Sequence, residues 1–421
     1  MKKGLFLILS LLLCTSCVNS SSSSSSLSEE YKIYDTYVSN IKAKDGLIVQ
    51  PFNTMVTLRT FCEKDSVTIF PVIENEIQRL HKLFDRYNEY LDENNQPLVN
   101  LKIINDSYGS GTVLNVDQDI IDLLQLSIDL CSLTEGYFNP TLGVLIDSWN
   151  YVEKEDGIYN RFSPYCMEEE DIKPEQIEKS LNAIVPYNDL KEVIVINDDN
   201  NTVEFKKYND IDKIVISLGA IAKGYAIEKA KNIISSYNVS AMIDGGSSSS
   251  YGIGKNPNPE RDYWIVGIAA PYKSIFGLPA ICNVKFTETY TLSVSGDYES
   301  SFYFIDENGN KILRHHLLNP HTGYPENFYR VLSLWSQSRS DVLDGLSTAL
   351  FSIEDSNKIL NIIKNVENHF NIDIEILIEK EIDVEKIDVY VTKDYRDSLM
   401  SYNQAYFNSF VILEKEGEGN E

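Results

Sequence analysis

The 421-residue chain carries 43% hydrophobic and 11% aromatic residues, the composition of a folded globular protein rather than a disordered one. A formal charge of -26 excludes a surface that tracks nucleic-acid phosphates, so any nucleotide must bind at a local site. Of the six cysteines, Cys14 and Cys17 form a C-x-x-C pair in the N-terminal segment, and the others have neither zinc nor disulfide-framework spacing.

In chain order, Lys2 and Lys3 precede an apolar run from Gly4 to Leu13, and Cys14-Thr15-Ser16-Cys17 closes it as in a signal peptide. The run is too short for a permanent transmembrane helix. The pattern resembles a bacterial lipoprotein cleavage site with Cys17 lipidated, with Cys14 where leucine is usual; a plain secretory signal cut near Ser16 is the alternative. Residues 20–26 are all serine, a flexible tether. The expectation is a signal peptide over 1–17, a tether and linker over 18–48, and attachment to the cell membrane by lipid on its extracytoplasmic face.

Phe52 to Leu58 alternates like an early strand, and Ile73, Ile77, Leu80 and Phe84 then recur at helical spacing. Asp117 is a suitable N-cap for a second helix, which Thr134-Glu135-Gly136 stops. Tyr137-Phe138-Asn139-Pro140-Thr141 follows; aromatics at such a turn either pack into a core or sandwich a flat heterocycle. Residues 150–170 read as an acidic insertion. Pro174 begins a helix that runs to about Ala183, and residues 192–197 and 202–207 read as a hairpin.

The chain is organised around IVISLGAIAKGYAIEKAKNII, residues 214–234. A short buried strand, a turn of small residues and then a helix with Lys223 in its first turn make a place to hold phosphate. The G-x-G-x-x-G and P-loop spacings are absent, and by itself the stretch favours the alternative of an ordinary strand–turn–helix packing unit. The glycines of Asp244-Gly245-Gly246 and those at 252 and 254 permit tight turns or close backbone approach. Ser295 reads as a hydroxyl in a turn after a strand. Three of the five histidines lie in HHLLNPHTGYP, residues 315–325, with no zinc spacing, so one acid/base or phosphate-contacting histidine is expected. In DVLDGLSTALF, Asp344, Ser347 and Thr348 share a helical face and offer hard oxygen ligands; helix capping is the alternative.

These ordered motifs, with FNT near the start, TEGYFNPTLGVLIDSW and SGDYE, resemble the FAD:protein FMN transferase (ApbE-like) family over roughly residues 50 to 395. The resemblance implies an α+β fold of two interleaved lobes with an FAD cleft between them, a transferase domain over 49–395, and a polar extension over 396–421. It implies transfer of FMN from FAD, the substrate, to a threonine or serine hydroxyl of an exported or membrane acceptor protein, with Mg2+ required and AMP released. The alternatives are a magnesium-dependent FAD pyrophosphatase and a non-catalytic FAD-binding lipoprotein. Carried over by position, Asp344, Ser347, Thr348 and the Ala220 carbonyl hold metal, and His316, Ser295 and Asp344 serve catalysis. Phe52, Tyr87, Tyr137, Phe138, Asn139, Ser217, Lys223 and Leu318 contact FAD. Ser217, Asn53, Asn319 and Val294 depart from the residues common in the family, and none of the four is a proposed metal ligand or the lysine.

Overall fold

Alternating apolar residues draw nine strands into one sheet, in the spatial order Tyr34–Tyr37, Val56–Thr60, Ala241–Gly245, Ser249–Ile253, Tyr290–Gly296, Val331–Ser336, Glu375–Asp383, Lys386–Thr392 and Phe407–Leu413. Neighbours pair antiparallel except the last two, which run parallel. The computed structural model describes residues 31–154, 157–162, 171–246, 248–272 and 279–415. The signal segment, Cys17, the serine tether and much of the acidic insertion lie outside the described residues.

Successive side chains of a strand point to opposite faces, so every strand feeds two layers. Leu58, Ile243, Tyr251, Leu334 and Ile376 go to one face, where the helices Glu63–Phe84, Gln118–Leu133, Ala222–Ser236, Ser340–Leu350 and Ser356–Phe370 complete the larger core. Leu292, Val331, Leu377 and Val389 go to the other, against a three-stranded sheet of Trp264–Ala269, Ala280–Phe286 and Leu399–Tyr402. The α+β class expected from the sequence is the one observed. Among the described residues no helix is long and apolar enough to cross a membrane.

Several elements stand where the sequence puts them. Asp117 caps the Gln118–Leu133 helix by accepting the Asp119 N–H at 2.9 Å. Pro174 opens the helix Pro174–Leu181, and Ile194–Asn197 pairs with Thr202–Phe205 as a hairpin. Other expectations need correction. The first strand after residue 50 starts only at Val56, because Pro51–Asn53 form a 3-10 turn with Phe52 and Asn53 left-handed. Ile214–Ile216 is buried but forms no strand beyond one parallel bridge, Leu142 to Val215. The Asn105 side chain supplies the missing partner, accepting the Ile216 N–H at 2.7 Å and donating to the Ile216 carbonyl at 2.9 Å. Residues beyond 395 are more than a polar extension. Leu399–Tyr402 and Phe407–Leu413 are strands, with Phe407 and Phe410 packed on the smaller core. At the other end, Tyr34–Tyr37, expected in the linker, pairs with Val56–Thr60 as an edge strand.

Candidate active site

The site grows from a seam between two helices. Ala222–Ser236, which carries Lys223 in its first turn, packs directly on Ser340–Leu350, which carries Asp344. Gly224 makes that approach feasible. A Cβ there would lie 2.3 Å from the Ser340 carbonyl oxygen and 2.5 Å from the Asp344 Cβ, well inside contact distance. With the backbones so close, the Gly224 N–H donates to Asp344 Oδ2 at 2.8 Å. In an uninterrupted α-helix that N–H would go to the Ala220 carbonyl, so the Ala220 oxygen is left without that helical partner.

Hydroxyls complete the floor. Ser249, from a sheet strand, donates to Asp344 Oδ1 at 3.1 Å. Ser347 Oγ lies 2.9 Å from Ser295 Oγ and 3.3 Å from Ser293 Oγ, and Thr348 Oγ1 donates to the Asp344 carbonyl at 3.2 Å. Ser295 lies inside the strand Tyr290–Gly296, not in the turn expected after it, and the pleat aims its hydroxyl at the Asp344 helix. Asp344 is 5% exposed; burial pushes its pKa up, and the Lys223 charge, the Gly224 N–H and the Ser249 hydroxyl pull it back.

The two adjacent histidines divide their roles. His315 is fully buried, its Nε2 3.0 Å from the Glu326 carbonyl and its Nδ1 accepting the Leu317 N–H at 3.2 Å. Burial holds its pKa at about 3, and it serves the loop. His316 opens to solvent, yet the protein crowded around it and the nearby Lys223 push its pKa down to about 4. It is a neutral imidazole at working pH, accessible and within the field of Lys223. Lys223 thus acts on both His316 and Asp344, which joins three of the residues picked from the sequence.

The aromatic residues form walls of loops. The Phe52 ring meets His81 edge-on at 5.3 Å, and Tyr87, 45% exposed, lies under the Arg86 guanidinium at 4.3 Å. Tyr137 is half-buried between His321, 4.5 Å away, and Lys358, 4.7 Å from its ring. Phe138 is buried in the core. The Asn139 side chain ties its loop to a distant segment, donating to the Val185 carbonyl at 2.8 Å while accepting the Thr141 N–H at 2.9 Å. Ser217 is half-buried with its N–H on the Pro140 carbonyl at 2.8 Å, and Leu318 is buried, bridged to Pro325. Beside Tyr87 opens a cavity of about 360 Å³, also lined by Arg86, Asn105, Asp147, Lys213 and Val215. Lys223, His316 and Asp344 do not line it; the chemistry sits apart from this hollow.

The donor set around Asp344 is all oxygen: one carboxylate and the Ser249, Ser347 and Thr348 hydroxyls, with the Ala220 carbonyl, one turn before Gly224, left without its helical partner. Hard oxygens with few fixed charges suit magnesium, which keeps several waters. Among the described residues no group of three or more His, Cys, Asp or Glu offers a softer metal centre. Ser249, Ser293 and the Gly224 N–H escaped sequence reasoning as site members. The serine run after Asp244-Gly245-Gly246 was the available signal, but only strand pairing shows which serine faces Asp344.

A mixed sheet whose helical face joins a lysine, a buried aspartate and clustered hydroxyls defines the class, an α+β protein with a polar seam between two helices. The chain belongs to the ApbE family, whose model matches residues 52–372. It is 24% identical over 241 residues to the FAD:protein FMN transferase of Haemophilus influenzae, a match covering 57% of this chain and 62% of that protein, slightly under two thirds of its length. With the FAD:protein FMN transferase of Treponema pallidum it shares 23% over 309 residues, 71% and 75% of the two chains. The ApbE protein of Thermotoga maritima superposes with a TM-score of 0.64 at 23% identity, over 88% of this chain and all of that one. The flavin transferase ApbE from Vibrio cholerae gives 0.61 at 18%, over 87% and 100%. At such identities these structures speak to the fold alone.

Proposed function

We propose that this protein transfers FMN from FAD to a threonine or serine hydroxyl of an acceptor protein, releasing AMP. The observation that carries the reading is the meeting of Lys223 and Asp344 at one helix seam, with a solvent-open, neutral His316 within the field of Lys223. Family membership and the names of the curated relatives support it. Lys223 pairs with the FAD diphosphate, a charge-assisted contact of about 1.5–3 kcal/mol. The acceptor oxygen bonds to the flavin-side phosphorus while the bond from that phosphorus to the bridging oxygen breaks, and AMP departs with the bridging oxygen.

His316 accepts the hydrogen bond of the acceptor hydroxyl and aims it. At a pKa of about 4 it is a weak base, but a bound diphosphate beside it raises that value toward the working range, so the acceptor proton can pass to it as the new bond forms. Asp344, Thr348, Ser347 and the Ala220 carbonyl would hold Mg2+, which when bound offsets charge on the phosphates. Ser295, sharing the Ser347 hydroxyl, fixes the floor beneath. Cys17 anchors the protein by lipid to the extracytoplasmic face of the membrane, a reading supported by the N-terminal pattern alone. Cys17→Ser should then leave the membrane fraction.

The deciding mixture holds the pure protein, FAD, magnesium and a candidate acceptor with a threonine in a flexible segment, beside a His316→Ala control. The acceptor should gain the mass of one FMN only with the wild type. Free FMN accumulating at the same rate with or without every acceptor tried would make the protein a pyrophosphatase instead.

A further inference from the structure

The turn that presents Phe52 is strained. Phe52 and Asn53 both have φ of 52°, two successive non-glycine residues in the left-handed region, which persist only where the surroundings hold them. One hold is a side chain from the helix Glu63–Phe84: the Phe52 N–H donates to His81 Nδ1 at 3.0 Å. The other end of the turn is pressed on Gly246, where a Cβ would lie 1.6 Å from Thr54 Oγ1.

His81 is itself part of a chain of contacts. Its Nε2 lies 3.3 Å from the Tyr90 hydroxyl, which donates to Asp85 Oδ2 at 2.7 Å. Asp85 Oδ1 then accepts the Tyr87 N–H at 2.7 Å, and its Oδ2 takes the Asn88 side-chain amide at 2.8 Å. His81, Asp85 and Tyr90 are all at least nine-tenths buried. One continuous network therefore runs from the Phe52 backbone to the Tyr87 backbone. Because Nδ1 accepts, the ring must carry its proton on Nε2, and a doubly protonated ring would lose its hold on Phe52.

We propose that His81, acting through Tyr90 and Asp85, is a positioning residue that sets Phe52 and Tyr87 together as the aromatic walls receiving the flavin nucleotide. What those walls receive rests on the transferase reading; the coupling of the two walls does not. The charged and titratable groups facing His81 are Asp85 and Lys82 on its own helix and Tyr90 from the following loop, with the Phe52 turn packed on its other side. Burial, opposed by Asp85, lowers the His81 pKa from its ordinary value of 6.5 and keeps the neutral ring in place at working pH.

The test compares wild type, His81→Phe and His81→Asn. Phenylalanine keeps the ring and loses the acceptor; asparagine places Oδ1 where Nδ1 stood. In the absence of FAD, hydrogen exchange should quicken in both the Phe52 and the Tyr87 segments of His81→Phe, and His81→Asn should restore the protection of Phe52. With FAD and magnesium, His81→Phe should raise the KM for FAD about tenfold with kcat nearly unchanged, since the walls bind ground and transition states alike. The wild-type KM should also rise as pH falls below the ordinary imidazole range, a rise that His81→Asn should lack. Should His81→Phe fail to fold, Tyr90→Phe carries the same exchange test. Unchanged exchange at both segments, or a fall in kcat without a rise in KM, overturns the proposal. Wild-type protein that binds no FAD would sink the transferase reading while leaving the exchange result to judge the network.

Discussion

One strand, Tyr290–Gly296, displays the two faces of the central sheet. On the helical face its Ser293 and Ser295 meet Ser347, and neighbouring Ser249 meets Asp344, so buried polar groups share hydrogen bonds. On the β face Tyr290 and Leu292 join an apolar layer that also encloses charge. There Arg330 is paired with Asp297 and Glu381, each at 2.5 Å, and Glu379 is fully buried with neither carboxyl oxygen hydrogen-bonded among the described residues. Burial raises the pKa of both Asp344 and Glu379. A perturbed carboxyl therefore does not mark a site by itself. What separates the two is the company: Asp344 has hydroxyls and a lysine whose field also reaches the solvent-open His316, and Glu379 lies under a second sheet.

The comparison breaks most sharply at Asp344. Asp344→Ala removes the only carboxylate of the oxygen cluster, and AMP release should fall by about 10²–10³-fold with the circular-dichroism spectrum retained. Activity near wild type in that variant would move the site elsewhere. Gly224→Ala tests the seam that brings Asp344 into place. The added methyl has no room beside the Ser340 carbonyl, so we expect a loss of about 1–3 kcal/mol in denaturant unfolding, together with weaker FAD binding. An unchanged midpoint would show that the helices separate freely.

The smallest effect belongs to the β face. The folded pKa of Glu379 is raised well above 4.5, so its contribution to stability is fully present below that value and is lost as pH rises through the folded pKa. Glu379→Gln should therefore raise Tm by a few degrees at about pH 8, and the gain should vanish near about pH 4. AMP release should not change. A Tm difference independent of pH would mean that Glu379 is not titrating in the fold.

The sequence by itself determined the class, the family likeness and the residues with chemistry, because local spacing and ordered motifs carry them. Lys223 at a helix start and Asp344 with Thr348 on one helical face are consequences of the 3.6-residue period, readable without any partner. The glycines at Gly245-Gly246 signalled close approach, though not to what, and Gly224 carried no such signal. The tertiary structure alone decided that Gly224 gives its N–H to Asp344, that Ser249 rather than another member of the serine run meets it, and that His316 opens to solvent while His315 is sealed. It also decided that Ile216 is paired by a side-chain amide and that Phe407–Leu413 ends the sheet. The site contacts among these join segments 52 to 120 residues apart in the chain, as at Ser295–Ser347 and Gly224–Asp344, and local propensity does not encode which distant partner a segment will meet.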